Sequence, residues 1–452
     1  DSDTNSTASS SETTIDDEID NPVSIGDISI NAGEDVEPAE LEYLGNYDIT
    51  TAGDVKPAYK YFSENYGCKI KCTIVGSLQI LEKLTTAISA GESPDLVDYS
   101  DSTFPLMMSK NMYTPLDDYM DLSAPQWSGL DQYINKYKWN GKNYYYPWAY
   151  NVSSYFLIYN RGVFEQIGLE DPKELYDEGK WTWEAMADVI RKFIDSDTDG
   201  NRTGLYGATE YSAQAIIDST GVPLIEIGED GKLVSHMNDA NIEKCLDMLR
   251  SFDNTQEQLR YPRDTENSWN PSYNEWADGN TLFFEDGSWR YEEHWRKFKK
   301  KNKWEDDEVN FFPFPQMDGA DKYYQSMKQE SIMLVAGAKN IDGYKAWIYS
   351  NLVASNDPEI AKAGREQSKE EYDWSDTLLD RLDMMKDPKT FTAVFDFKNG
   401  IGQDIASTDS QDNPVEQLTK GPYMTGESYT SFRAKYQGQI DTRLAELNKT
   451  VE

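Results

Sequence analysis

The chain has 452 residues, enough for two or three ordinary domains or for one large fold with several lobes. Asp and Glu number 81 against 43 Lys and Arg, a formal charge of −38, and a field of that sign excludes nucleic acid and an anionic membrane surface as partners. No apolar run reaches the ~20 residues that a membrane-spanning helix needs.

Residues 1–40 hold twelve of the acids and no Lys, Arg or aromatic side chain. Such a stretch buries too little apolar area to offset its ordering entropy, so it is expected to be a disordered acidic linker. The sequence opens on Asp1 rather than Met, so the expectation is a trimmed chain whose targeting segment is gone and whose body is tethered to a surface.

From Leu41 the pattern alternates. A short strand at Leu41–Leu44 precedes a helix from Asp54 to Tyr66 with Asp54 as its opening residue, a strand at Ile70–Val75, a helix at Gln79–Ser89 and a third strand at Pro94–Tyr99. This βαβαβ order predicts a parallel sheet whose carboxyl ends, carrying Asn46, Tyr47, Gly76, Ser77, Asp101 and Ser102, are positions for binding. Further strands are expected at Val152–Tyr159, Asn280–Phe284, Val309–Phe312 and Ile332–Val335. Further helices are expected at Val163–Gly168, Trp183–Ile194, Asn241–Phe252, Gly343–Ala354 and Ser428–Leu447. The fold class is α/β, split into two lobes.

The three cysteines, Cys68, Cys72 and Cys245, are too few for a disulfide scaffold, and an i, i+4 pair in a strand lies ~13 Å apart, beyond disulfide reach. Catalytic signatures are scarce. His236 and His294 are the only histidines, and there is no nucleophile elbow, zinc-helix or phosphate-loop motif. With 81 acids a catalytic carboxylate pair stays open, so an extracellular glycoside hydrolase is one alternative. Asp195, Asp197, Asp199 and Asn201 place oxygen donors at alternate positions around Gly200, as the first half of a calcium loop does. Tyr206 stands where the closing Glu of such a loop belongs, so Glu210 would have to complete the shell. The competing reading is an acidic turn without an ion. No cofactor is required; structural Ca2+ is the one candidate.

Aromatics are abundant, with 30 Tyr and 12 Trp. A sugar ring offers an apolar C–H face and a hydroxyl rim, which calls for a flat aromatic edged by amides and carboxylates. Tyr47, Trp148, Tyr150, Tyr211, Trp269, Trp289 and Trp374 are such aromatics, and Asn46, Asp101, Asn151, Glu285 and Glu330 could form the edge. For any single indole the core reading is the stronger one, and position relative to the strand ends separates the two.

At these residues the sequence resembles the extracellular solute-binding proteins of ABC sugar importers, the maltose- and oligosaccharide-binding family. The segments that carry the resemblance are Ala90 through Leu96, Thr114 through Tyr119, Gly141 through Pro147 followed by Ile158-Tyr159-Asn160-Arg161, Gly179 through Glu184, where Lys180-Trp181 replaces the family's proline context, and Gly287-Ser288-Trp289. The resemblance implies a periplasmic-binding-protein-like fold, with lobe one at 41–150 plus 331–390, lobe two at 151–330 plus 391–452, hinge strands, and a ligand cleft between the lobes. It implies a non-enzymatic monomer that closes on an oligosaccharide and delivers it to a membrane permease, anchored outside the cell as a lipoprotein. On this pattern Trp289 and Trp148 stack on sugar, Asn46, Asp101, Asn151 and Glu330 meet hydroxyls, and Tyr47 and Tyr211 shape the cleft. A third reading, a binder of peptides or acidic sugars, would use Arg161, Arg290 and the run Lys297–Lys303.

Overall fold

The computed structural model describes residues 36–53, 55–98, 102–152, 155–207, 209–252, 276–327, 331–406 and 413–452, with backbone alone at 125, 206–207, 209–212, 252 and 423–424. Two four-stranded sheets organise these residues. In the first, strand Glu40–Gly45 pairs in parallel with Lys69–Ile74 on one side and Leu96–Asp98 on the other, and Ile332–Leu334 closes the edge antiparallel to Leu96–Asp98. The helix Ser77–Ala90 and a helix over Lys56–Tyr66 make the crossovers. The second of these starts behind Val55, which offers no side-chain cap, and Asp54 lies outside the described residues.

Asp95 explains why the first sheet needs its Pro-Asp-Leu turn. It is 4 % exposed, yet its carboxylate accepts N–H groups from Glu42, Lys339 and Asn340 and the Asn340 amide. Four donors compensate a buried charge that would otherwise be costly. They also bring the chain back from the second sheet to lay down Ile332–Leu334 and the helix Ile341–Asn356. That helix comes close to the sheet: a Cβ on Gly343 would meet Leu41 at 2.7 Å.

The second sheet runs in the order Val309–Pro313, Tyr155–Asn160, Thr281–Gly287, Thr203–Gly207. Thr281–Gly287 is parallel to Thr203–Gly207, and the other two pairings are antiparallel. Thr182 caps the helix Trp183–Asp195 through Ala185 N–H, and Asn160 caps Arg161–Ile167 through Val163 N–H. Among the further helices of this half are Thr209–Asp218, Ala240–Phe252, Pro414–Thr425 and Tyr429–Asn448. Helices Pro358–Tyr372 and Asp376–Met384 were not expected. The second of these packs on Val309–Pro313, with buried Arg381 donating to Asn310 and to the Phe311 carbonyl, so the expected first-lobe segment 331–390 includes a helix whose buried contact is with the second sheet.

Where the chain passes between the sheets, three stretches run side by side. Val152 bridges Met327 and donates to the Met385 carbonyl; Met327 donates to the Val394 carbonyl; and Tyr324–Ser326 pairs in parallel with Thr392–Val394. The Tyr150 hydroxyl ties them further, donating to Phe391 O at 2.6 Å and accepting from Ala393 N at 3.1 Å. Beside them, Phe395 rests on Tyr133, and Phe397 on Phe104 and Tyr137. All three cysteines are free.

Candidate functional site

Strand direction decides which residues meet at the junction. The parallel strands of the first sheet deliver Asn46, Tyr47 and Ser77 at their carboxyl ends. The Asn46 amide donates to Ser77 Oγ at 3.1 Å, and Tyr47 is 37 % exposed. Beneath them Tyr43 is buried, and burial, then Asp98, Cys72 and Asp48, holds its phenol far above the usual range. It stays a neutral hydroxyl.

The second sheet presents Gly207 and Gly287 at the corresponding ends and Tyr155 at the start of its antiparallel strand. Gly287 pairs with Tyr155, and Trp289 follows two residues later. The indole folds back over the strand end: a Cβ on Gly287 would lie 2.1 Å from two of its ring carbons. This is the physical need behind a Gly two residues before the Trp. Tyr155 braces the indole edge-on at 5.9 Å, leaving Trp289 38 % exposed, a large aromatic surface open for stacking. Below it Asp286 accepts from Gly287 N at 2.8 Å. Burial pushes its carboxyl up to about 7, against the lowering effects of that N–H and of Arg290.

The other expected site residues are placed differently. Trp148 is 8 % exposed, its ring against Tyr146, so little of the indole is open. Asn151 lies on the crossing strand, half-buried, its backbone N–H and carbonyl both bonded to the Tyr133 hydroxyl. Glu210 and Tyr211 fall in the first turn of helix Thr209–Asp218, just after the Gly207 end of the second sheet, and only their backbone is described. Asp101, Glu330 and Trp269 lie outside the described residues. Trp374 is buried against Tyr291. The structure thus brings Asn46 with Tyr47, and separately supplies Trp289. Tyr155 and Asp286 went unnoticed in the sequence, because their relevance comes from strand pairing across more than a hundred residues.

In the acidic loop the described carboxylates serve local contacts, and the side chain of Glu210, the expected closing donor, lies outside the described residues. Asp197 spends its carboxylate on the N–H groups of Asp199 and Arg202, which hold it below the ordinary carboxylate range, and Asp195 and Asp199 point to solvent. Among the described residues no three His, Cys, Asp or Glu side chains are grouped to hold a metal. The basic candidates for an anionic ligand are also engaged: Arg161 with Asp307 and Glu165, and Arg290 with Glu293 and Asp286.

Two α/β units, carboxyl strand ends at their junction and three crossing stretches are the frame on which the comparisons bear. The family model of the bacterial extracellular solute-binding proteins matches residues 47–359, well over half of the chain. The chain belongs to that family. Its role is therefore binding rather than catalysis, and the hydrolase alternative is overturned. The diacetylchitobiose binding protein DasA of Streptomyces coelicolor is 24 % identical over 231 residues, 51 % of this chain and 50 % of that protein. A binding protein of Brucella abortus is 30 % identical over 129 residues, 28 % of this chain and 30 % of its own length. The chain thus spans half or less of the length of these relatives. Among solved structures, the sugar-binding protein MalE of Xanthomonas citri superposes with a TM-score of 0.65 at 15 % identity, covering 90 % of this chain and 98 % of that one. A Staphylococcus aureus solute-binding protein in complex with maltose gives 0.61 at 13 % identity, covering 91 % and 99 %. These likenesses show the fold, a two-lobed binding protein.

Proposed function

We propose that this solute-binding protein captures a neutral oligosaccharide in the cleft between its lobes and presents it to the permease of an ABC importer. The observation that carries the reading is Trp289, an indole held open over Gly287 and braced by Tyr155 at a strand end of the second sheet. Asn46, Ser77 and Tyr47 at the strand ends of the first sheet supply the hydroxyl partners and a second aromatic. The relatives support the ligand class: one is named for diacetylchitobiose, and one structure holds maltose.

Binding is a population shift. An open form exposes both half-sites, and the sugar stabilises a closed form in which it contacts both lobes. The three hydrogen-bonded crossing stretches are the hinge. The lobes are proposed as 41–150 plus 331–390 and 151–330 plus 391–452, with helix Asp376–Met384 riding on the second. Family membership supports a place outside the cell; the lipid anchor and the permease are parts of the same proposal.

The test is a thermal-shift and calorimetric panel of neutral oligosaccharides, acidic sugars and short peptides, run on the parent and on Trp289→Ala. A ligand that binds only the folded state stabilises it by ~2.7 kcal/mol at a hundred times Kd. The expected result is a shift with one neutral sugar class, recovery of intact sugar, and loss of about 2 kcal/mol or more of binding in Trp289→Ala. Unchanged affinity in that variant would sink the assignment of the site.

A further inference from the structure

Helix Thr209–Asp218 packs on the crossing strand Tyr324–Ser326, and its last residue is buried there. Asp218 is 0 % exposed. Three more buried polar side chains accompany it: Ser326 on the crossing strand, and Asp396 and Lys398 just past the partner strand Thr392–Val394. Asp396 is well compensated, because its carboxylate accepts the N–H groups of Leu224 at 2.9 Å, Ile225 at 3.2 Å and Lys398 at 3.0 Å, with the Lys398 ammonium 3.3 Å away. For Asp218 the accounting differs. Its Oδ2 accepts the Gln214 amide, whose own carbonyl takes the Lys398 ammonium, and its Oδ1 has no hydrogen-bond partner among the described residues. Ser326 Oγ, close enough to influence the same carboxyl, is also buried without one.

The buried charges do not balance. With both carboxyls ionised, two negative charges share one ammonium in a place that water does not screen. The elements packed on the helix bring no second buried cation that is unpaired, among the described residues. Helix Ala240–Phe252 presents the Cys245 thiol, pushed up by burial and then by Asp218, and pairs Asp247 with Arg250. On Pro414–Thr425, Glu416 and Lys420 pair with each other; Thr281–Gly287 adds the buried Glu285; and on the crossing strand Tyr324 donates to Asp321. Burial pushes the Asp218 carboxyl up to about 7 against the lowering effect of Lys398, and Asp396 adds to the rise. A proton on Oδ1 leaves one carboxylate to one ammonium and lets that oxygen donate to Ser326 Oγ.

We propose that Asp218, Ser326, Asp396 and Lys398 form a proton-operated lock on the hinge: with the proton bound, the crossing strand Tyr324–Ser326 is clamped to helix Thr209–Asp218, and on its loss the clamp loosens. The lock rests on the reading of the crossing stretches as the hinge, and its test needs no sugar. An Asp opened to water titrates at ~3.9, so between about pH 4 and 7 the packed site holds a proton that the opened site has released. The clamp is therefore firmest below pH ~4 and is lost as pH rises through 7.

The experiment is amide hydrogen exchange on the full, ligand-free chain from pH 5 to 8, corrected for intrinsic rates. It reads the Met327 and Thr392 N–H groups, which bond to the Val394 and Tyr323 carbonyls across the crossing stretches. Their protection is expected to fall about tenfold or more further in the parent than in Asp218→Asn. Asp286 is present in both chains, so the comparison removes its titration. Lys398→Gln takes away the cation that opposes the rise, and the midpoint of the fall is expected to move up by about one pH unit. Equal falls in the parent and Asp218→Asn, or a midpoint in Lys398→Gln that stays or moves down, each overturns the lock. None of these outcomes bears on whether Trp289 stacks on sugar, which the ligand panel decides.

Discussion

The carboxyl of Asp286 sits one residue before the glycine that cradles Trp289, buried and pushed up to about 7. An unfolded Asp titrates at ~3.9, so between about pH 4 and 7 the folded chain holds a proton that the unfolded chain has released. The stability from this group is complete below pH ~4 and is lost as pH rises through 7. Asp286→Asn keeps the acceptor for Gly287 N–H and removes the titration. Between pH 5 and 8 the variant is expected to lose about 1–3 kcal/mol less stability than the parent, read by urea unfolding at each pH. Parallel pH profiles would show that Asp286 titrates as an ordinary carboxylate. At this scale the sequence reveals Trp289 through the resemblance of Gly287-Ser288-Trp289 to a segment of the solute-binding family, and the structure supplies the reason for its Gly, a backbone that passes under the indole. It does not reveal that Trp148 is covered by Tyr146, since a Trp beside Pro and Tyr reads alike as core or as binding face.

Among the elements, the crossing stretches hold each other chiefly through backbone groups, with Tyr150 as the side chain that spans two of them. Tyr150→Phe leaves the Phe391 carbonyl and the Ala393 N–H without that partner in a buried place. The expected cost is ~1–3 kcal/mol in equilibrium unfolding, and the ring packing on Tyr133 is retained. A variant as stable as the parent would mean that water replaces the hydroxyl and that the stretches are held elsewhere. Most elements of both sheets are legible from periodicity, within one to three residues, because their apolar faces are strong: Trp183–Asp195 buries six side chains on one stripe. Pro358–Tyr372 is not, since it buries only Ile360 and its other residues are charged, polar or small apart from Pro358 and Tyr372 at its ends, so it carries no stripe to read. Thr203–Gly207 is short and Gly-flanked, and its membership of the sheet depends on Thr281–Gly287, some eighty residues away.

For the whole molecule, charge is the dominant fact. At −38 the folded chain repels itself, and salt shortens the reach of that repulsion from ~10 Å at 0.1 M to ~3 Å at 1 M. The melting temperature is therefore expected to rise by roughly 2–4 °C from 0.1 to 1 M sodium chloride. A fall would mean that exposed ion pairs, such as Arg365 with Asp376, Asp380 and Asp383, outweigh the repulsion. The edge strand Ile332–Leu334 has a consequence of another kind. It completes a sheet whose neighbouring strand ended at Asp98, so a chain made at 5–20 residues per second waits ~10–50 s between the two. Throughout that interval the amino-terminal third of the protein has an open sheet edge, and it stays a nascent chain that can still be threaded rather than a finished lobe that would have to be pulled apart.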